Sequence, residues 1–420
     1  MAQAQGFVAE ERYARAARSL RAAEAVPGFA RHPELRDAWR LVGRHGRRAG
    51  LRGAWQLFDL DGQGMFPDPL VLAAGREGTY FASVRLSGPV DAWDASDGRL
   101  LHEYTWDVGS ASALHLTADD TVAVVHDRFH STVHLLDLVA DCAYPLSTTG
   151  RVSATAVSPE VNCVLTGETD GRLRWCDMDI LREQRTVNAR WDEVPAHRLA
   201  VQTVALAEEA RFGASRASTR ADNSESWYLH EDELCLWSLD TGERVWRQGG
   251  RPPGLSLAFS PDSGTLFEYG GHGLWAFDVP TGRQLYAVDG VNNHHVLAVM
   301  RDSSRAVTAD HRSLTVFDTA TGRVLRSIPD AGETMALALS HDGRYAVAGV
   351  RGQRLRVWDL ASGRLLRTLE GHRGDVHTLV LSTDGHRLVS GDSRGTIRGW
   401  ELAWDFDFGD GEDGGPEGRG

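Results

Sequence analysis

The chain has 420 residues, a formal net charge of −13, 42% hydrophobic side chains and 25% charged ones, a balance that excludes fibrous, collagenous and intrinsically disordered classes. No apolar run approaches the roughly 20 residues of a membrane-crossing helix, and the amino terminus lacks a basic-then-apolar signal layout, so no membrane span and a cytoplasmic location are expected. All 45 basic residues are arginine, which excludes the P-loop lysine, the protein-kinase strand lysine and Schiff-base chemistry.

Residues 1–50 read as a basic helical arm. Tyr13, Ala16, Ala17, Leu20 and Ala23 fall on one face of a helix from about Glu10 to Val26, stopped by Pro27-Gly28. A second helix is predicted from Pro33 to about Arg44, with Leu35, Ala38, Trp39 and Val42 as its stripe. Residues 1–53 carry eleven arginines against five acidic side chains, so the rest of the chain is near −19. That charge repels a phosphate backbone, and nucleic acid is not expected as a partner except through the arm. The arm's arginines either bind an acidic or anionic partner or dock on the acidic remainder.

From Leu51 the pattern changes to short β runs, and eight of them end in a bulky residue followed by a small polar or acidic one. The pairs are Trp93-Asp94, Leu136-Asp137, Cys176-Asp177, Trp237-Ser238, Phe277-Asp278, Phe317-Asp318, Trp358-Asp359 and Trp400-Glu401, separated by 43, 40, 61, 40, 40, 41 and 42 residues. A β-type unit of about 40 residues cannot bury both faces alone and must stack on copies of itself. Turns recur at the same period, including Ser260-Pro261-Asp262, Ser340-His341-Asp342-Gly343, Thr241-Gly242, Thr281-Gly282 and Thr321-Gly322. The expected fold is therefore all-β: a closed β-propeller of eight four-stranded blades over residues 51–404, with seven blades as the alternative. Residues 405–420, acidic and glycine-rich, are expected to form a disordered tail.

The run Val357-Trp358-Asp359-Leu360 through Ser362-Gly363-Arg364 to Gly371-His372 resembles the WD-repeat family. The resemblance covers roughly Leu51 to Trp404, strong in the last four units and weak in the first three. Because repeat and blade are offset in that family, the resemblance implies that Ala54 to Gly62 is an outer strand with no blade before it, and that Trp55 to Leu60 completes the blade carrying Trp400 and closes the ring. The helical arm resembles one degenerate tetratricopeptide hairpin. The family often ties a blade with a buried network of His, Ser or Thr, Asp and Trp. The resemblance makes Trp93, Asp94, Trp237, Trp358, Asp359, His372, Ser390 and Trp400 structural blade positions. No unit supplies all four network members at the family spacing: the last has His372, Ser390 and Trp400 but Arg394 where the aspartate belongs. Apolar packing is therefore expected to hold the blades more than polar networks do.

Nothing in the sequence assembles a catalytic set by spacing, so no enzyme activity, metal or cofactor is expected. Gly391-Asp392-Ser393-Arg394-Gly395 fits G-x-S-x-G, but a strand-like run follows it where a nucleophile elbow needs a helix. His126 and His130 are read as part of a loop, where an i, i+4 pair does not converge; His294-His295 is read as a turn. Four cysteines lie without a C-x-x-C pair, three of them in hydrophobic runs that imply buried thiols. The sharpest irregularity is the 61-residue interval, assigned to the connection entering the fourth blade, about 186–198, and to the loop between its second and third strands, about 216–231. Trp191, Asp192, Glu193 and His197 in the first, and Trp227, Tyr228 and His230 in the second, would then share one face with Trp106. Aromatics beside charges fit an interface; the same tryptophans could equally cap the blade.

The function this implies is a non-catalytic, monomeric scaffold or sensor for protein partners. The resemblance adds that similar bacterial propellers often serve signalling kinases and ATPases, here as partners in trans. The alternative is a quinoprotein-like oxidoreductase, because Leu239-Asp240-Thr241-Gly242-Glu243-Arg244-Val245-Trp246 looks like the docking motif of pyrroloquinoline-quinone dehydrogenases. In the following units Tyr286, Arg326 and Arg367 stand where that family repeats the tryptophan.

Overall fold

A computed structural model describes residues 2–60, 71–75, 78–84, 89–104, 111–127, 132–145, 150–158, 160–178, 192–218, 233–249, 256–270, 273–288 and 296–408. Eight four-stranded antiparallel sheets make up the ring. Blades 1 to 7 span 71–104, 111–145, 152–195, 201–249, 256–288, 296–328 and 334–370, and each runs in chain order from the innermost strand outward. Eight blades, not seven, result.

Blade 8 combines Val376–Leu381, Arg387–Asp392 and Ile397–Asp407 with the strand Arg47–Leu60 on its outside. The pairing runs from Arg47 opposite Asp407 to Leu60 opposite Ile397, with Gln56 opposite Trp400. The chain thus closes its own ring, and the outer edge of its last blade is covered by a strand from its beginning. This closing strand starts at Arg47, inside the stretch read from sequence as the arm.

Alternate side chains of each sheet enter the gaps between blades, so the core is a series of separate clusters. One holds Val307, Leu314, Val316, Ala348 and Trp358 between blades 6 and 7; another holds Leu165, Trp175, Val204 and Trp237 between blades 3 and 4. A second device runs along the outside. Trp246 on the outer strand of blade 4 packs over the turn at Gly282 of blade 5 and donates its Nε1 proton to the Val279 carbonyl at 2.7 Å. Tyr286 does the same over Gly322 of blade 6, bonding the Thr319 carbonyl at 2.6 Å. Arg326 reaches the Ser362 carbonyl of blade 7 at 3.3 Å, and Arg367 reaches the Arg52 carbonyl of the closing strand at 3.2 Å. Gly282 has φ +68° and a Cβ there would lie 2.6 Å from the Trp246 ring, so only glycine suits both the turn and the docking. The dehydrogenase-like motif ending in Trp246 is therefore a blade-to-blade clasp.

Three helices rather than two precede the ring: α1 (Ala2–Ala9), α2 (Tyr13–Glu24) and α3 (Pro33–Gly43). Proline at the first position of α3 loses nothing, since its missing N–H would have had no partner in the helix. Ala4, Ala16, Ala17, Leu20, Leu35, Trp39 and Val42 join one cluster with Tyr345, Leu355, Trp400, Leu402, Trp404 and Phe406 of blades 7 and 8. Polar contacts repeat the docking: Arg40 pairs with the buried Glu401 at 2.6 Å, Arg36 approaches it at 3.7 Å, and Arg52 lies 4.5 Å over the Trp39 ring. The helices bury their apolar faces on the propeller, where a tetratricopeptide hairpin would use further helical repeats.

Candidate interaction site

In an antiparallel meander successive turns alternate ends. Connections between blades and the loops joining second to third strands emerge on one side, here the connection face. The other two turns of each blade emerge on the opposite side, here the turn face.

The long interval divides differently from the sequence expectation. Asp192–Pro195 is the outer strand of blade 3, paired with Arg172–Asp177, so Asp192 and Glu193 are not in the connection entering blade 4. That connection is short, 196–200, and the excess before it, 179–191, joins the third and fourth strands of blade 3. The other excess, 219–232, joins the second and third strands of blade 4 as expected. The two insertions therefore leave from opposite faces, because one follows an even strand and the other an odd one. Glu193 pairs with Arg172 at 2.7 Å and Arg174 at 2.9 Å. Trp106, Trp191, Trp227, Tyr228, His230, His130, His294 and His295 lie outside the described residues.

His197 is buried, not part of an exposed loop. Its Nε2 meets Ser215 Oγ at 2.7 Å, its Nδ1 meets Glu233 at 3.3 Å, and Trp237 Nε1 donates to the same Ser215 Oγ at 2.9 Å. Burial lowers the His197 pKa, against the opposing pull of Glu233. His197, Glu233 and Cys235 bring three potential metal-donor atoms within 4.8 Å of one another. However, both imidazole nitrogens already have protein partners, and burial followed by the Glu233 charge pushes the Cys235 thiol up to about 11. A neutral thiol and a doubly engaged imidazole make a structural knot, a poor donor set for a metal.

Blade 8 contains the complete network, contrary to the expectation from family spacing. His372 Nε2 meets Ser390 Oγ at 2.6 Å, Trp400 Nε1 donates to Ser390 at 2.8 Å, and His372 Nδ1 meets Asp392 at 3.1 Å. The acid is Asp392, two residues ahead of Arg394. It also accepts backbone N–H bonds from Arg373, Gly374, Arg394 and Thr396 at 2.9–3.1 Å. Burial raises the Asp392 pKa, but the bonds from His372 and the backbone amides outweigh it and hold the carboxyl well below the usual range. In blade 4 the acid crosses the hairpin: Glu233 pairs in register with Ala217, the position equivalent to Asp392. In blade 3 the equivalent residue is Glu168, which accepts from Gly150 N at 3.0 Å and pairs with Arg174 at 3.0 Å. Each carboxylate ties an inter-blade connection to the hairpin end beside it.

The other structural positions are simpler. Trp93 Nε1 donates to Ser83 Oγ at 2.9 Å, and Asp94 and Asp359 accept backbone N–H groups of the turns that follow them. Trp358 is buried with no acceptor for its Nε1 among the described residues, because Ala348 stands where blades 1, 4 and 8 have Ser83, Ser215 and Ser390.

Chemistry-bearing residues elsewhere are likewise absorbed. His126 and Asp127 belong to the second strand of blade 2, contrary to the loop expected, and His126 bonds Ser112 Oγ at 3.1 Å and the Val152 carbonyl at 3.2 Å. Ser393 lies in a strand-to-strand turn and accepts from Asp375 N at 3.1 Å, so the G-x-S-x-G run forms no elbow. The cysteines are free thiols; Cys163, Cys176 and Cys235 are buried.

A ring of eight radial sheets, closed by a strand from the chain's own beginning and tied internally by Trp–Ser–His–acid networks, defines a β-propeller of the repeat type. Residues 363–401 match the model of the WD domain, G-beta repeat, starting in the last turn of blade 7 and ending on the third strand of blade 8. The repeat is thus offset from the structural blade: residues 363–401 are similar to one WD repeat, carried by an eight-bladed propeller. Among solved structures, the crystal structure of the computationally designed Ika8 protein is similar, with 21% identity and a TM-score of 0.66, covering 82% of this chain and 99% of that one. At that identity the likeness concerns the fold alone. No curated protein matches the chain.

Proposed function

We propose that this propeller is a non-catalytic scaffold or sensor that holds protein partners on its connection face, centred on the 219–232 insertion of blade 4. One observation carries the reading. Glu233, the first described residue after the insertion, is bound to His197 of the incoming connection, and Ser218, the last before it, is bonded through its N–H to the Ala200 carbonyl at 3.4 Å. The segment bearing Trp227, Tyr228 and His230 is thus anchored at both ends on a rigid frame, an arrangement that lowers the ordering cost of presenting aromatic contacts. The connection between blades 1 and 2, which includes Trp106, leaves from the same face. A cytoplasmic, monomeric protein serving signalling enzymes in trans completes the proposal.

Affinity capture from cell extract, comparing the full chain with Trp227→Ala/Tyr228→Ala, tests it. The expected result is loss of specific captured proteins with folding stability changed by less than about 1 kcal/mol. An unchanged captured set, or a large loss of stability, would assign these residues to packing.

A further inference from the structure

On the turn face, opposite the site proposed above, the closing strand and blades 6 and 7 enclose an open cavity of about 490 Å³ lined by Arg47, Arg48, Arg305, Arg344, Asp342 and Asp407. Four arginines against two aspartates make it locally positive in a chain of net charge −13. Two of the arginines form a fixed floor. Arg48 bonds Asp342 at 3.0 Å and lies 5.5 Å over the Trp404 ring; Arg344 donates to the Arg48 carbonyl at 2.5 Å and lies 5.3 Å over Tyr345. The other two hold no fixed partner: the side chains of Arg47 and Arg305 make no hydrogen bond or ion pair among the described residues, and Arg305 acts on Asp302 only through its charge. Arg47 is exposed and Arg305 half-buried.

We propose that this cavity binds a carboxylate-rich peptide segment, with Arg47 and Arg305 pairing to its acidic side chains. Guanidinium groups match carboxylates in two-pronged geometry, and the two pinned arginines supply a positive floor that no rearrangement has to create. The breadth and openness of the cavity suit the side chains of a segment lying across it. One source is on hand: Asp407 is itself in the cavity wall, and the sequence continues Phe408-Gly409-Asp410-Gly411-Glu412-Asp413. Asp410 to Asp413 are three to six residues beyond the wall, a reach of roughly 10–20 Å. At such short tethering the local concentration is in the millimolar range, so even weak pairing would fill the cavity in cis. An acidic segment of a partner offers the same chemistry in trans. The proposal stands independently of the connection-face reading.

The test titrates a labelled synthetic peptide with the sequence of residues 405–417 into full-length chains. Saturable, salt-sensitive binding is expected to Asp410→Asn/Glu412→Gln/Asp413→Asn, weakened roughly tenfold by adding Arg47→Ala/Arg305→Ala. Weaker binding to the unsubstituted chain than to the neutralised one identifies its own segment as occupant; equal binding identifies a partner's. Absence of peptide binding, binding indifferent to Arg47→Ala/Arg305→Ala, or saturable binding of inorganic phosphate alone would overturn the proposal.

Discussion

Asp392→Ala removes the acceptor of five hydrogen bonds in blade 8: the His372 Nδ1 contact and the N–H groups of Arg373, Gly374, Arg394 and Thr396. Arg373 and Arg394 are exposed and their amides can turn to water, whereas His372, Gly374 and Thr396 are buried. A buried donor left without a partner costs about 1–3 kcal/mol. Three such groups, discounted for relaxation and shared partners, place the loss at about 3–4 kcal/mol. The loss is local, because each blade has its own core and a long repeat array need not unfold as one unit.

Hydrogen exchange is therefore the suitable assay. The amides of Gly374 and Thr396 should lose about two to three decades of protection, since 1.4 kcal/mol corresponds to a factor of ten. Amides in blade 6, which shares no member of the network, should be unaffected. Asp392→Asn, which keeps one acceptor oxygen, should fall between. Because the Asp392 carboxyl is held below its ordinary value, its stabilisation is fully present above about pH 4 and is lost only as pH falls through the lower folded value. A change of less than tenfold at Gly374 and Thr396 would refute the view that the carboxylate ties the connection to the hairpin.

Two further outcomes follow from the same packing. Ala348→Ser places a hydroxyl opposite Trp358 Nε1, in the arrangement seen for Ser390 with Trp400 and Ser215 with Trp237, and should stabilise blade 7 by about 1 kcal/mol in denaturant unfolding; no gain would show that the indole is better left dry. His386 is buried, bonded to the Leu402 carbonyl at 3.1 Å, and burial with the nearby Arg40 and Arg48 charges lowers its pKa to about 4 against the opposing pull of Asp384. Its folded value is below the unfolded value of about 6.5, so the unfolded chain binds the extra proton: stability is full above about pH 6.5 and falls by about 3 kcal/mol as pH drops to about 4. His386→Asn, which keeps a donor near Leu402, should flatten that slope in urea titrations across the window; an unchanged slope would exclude His386 as its source.

Much of the fold is legible in the sequence because it depends on spacing. Period-2 runs, glycine turns and a repeat near 40 specify radial sheets, and the WD-repeat resemblance implies closure by the outer strand at Trp55; the structure has all of these. What spacing could not show is which side chain completes a contact from a neighbouring strand. The family spacing puts the blade 8 acid at Arg394, yet a shift of two residues keeps Asp392 on the same sheet face and still within reach of His372. The blade 4 acid moved to the register partner, Glu233, a substitution visible only once the strands are paired. Asp192–Pro195 gives no strand signal for a related reason. Four residues with exposed or half-buried side chains carry no alternation strong enough to mark an outer strand, and the 14 residues between Asp177 and Asp192 hid the meander.

The outer clasp explains why the last strands of successive blades tolerate such different residues. Trp246, Tyr286, Arg326 and Arg367 differ in charge and shape, yet each is long enough to cross to the next blade and ends in a donor that finds a backbone carbonyl there. The requirement at this position is reach and a terminal N–H or O–H, with a flat group where a glycine turn must be covered. A carbonyl presented by a turn is the same acceptor whatever the turn's side chains, so the acceptor half of the clasp imposes no sequence of its own. Selection by reach and donor alone leaves a weak sequence signal and a strong structural one. That is why a motif resembling a catalytic family's signature occurs here as an element of the wheel itself.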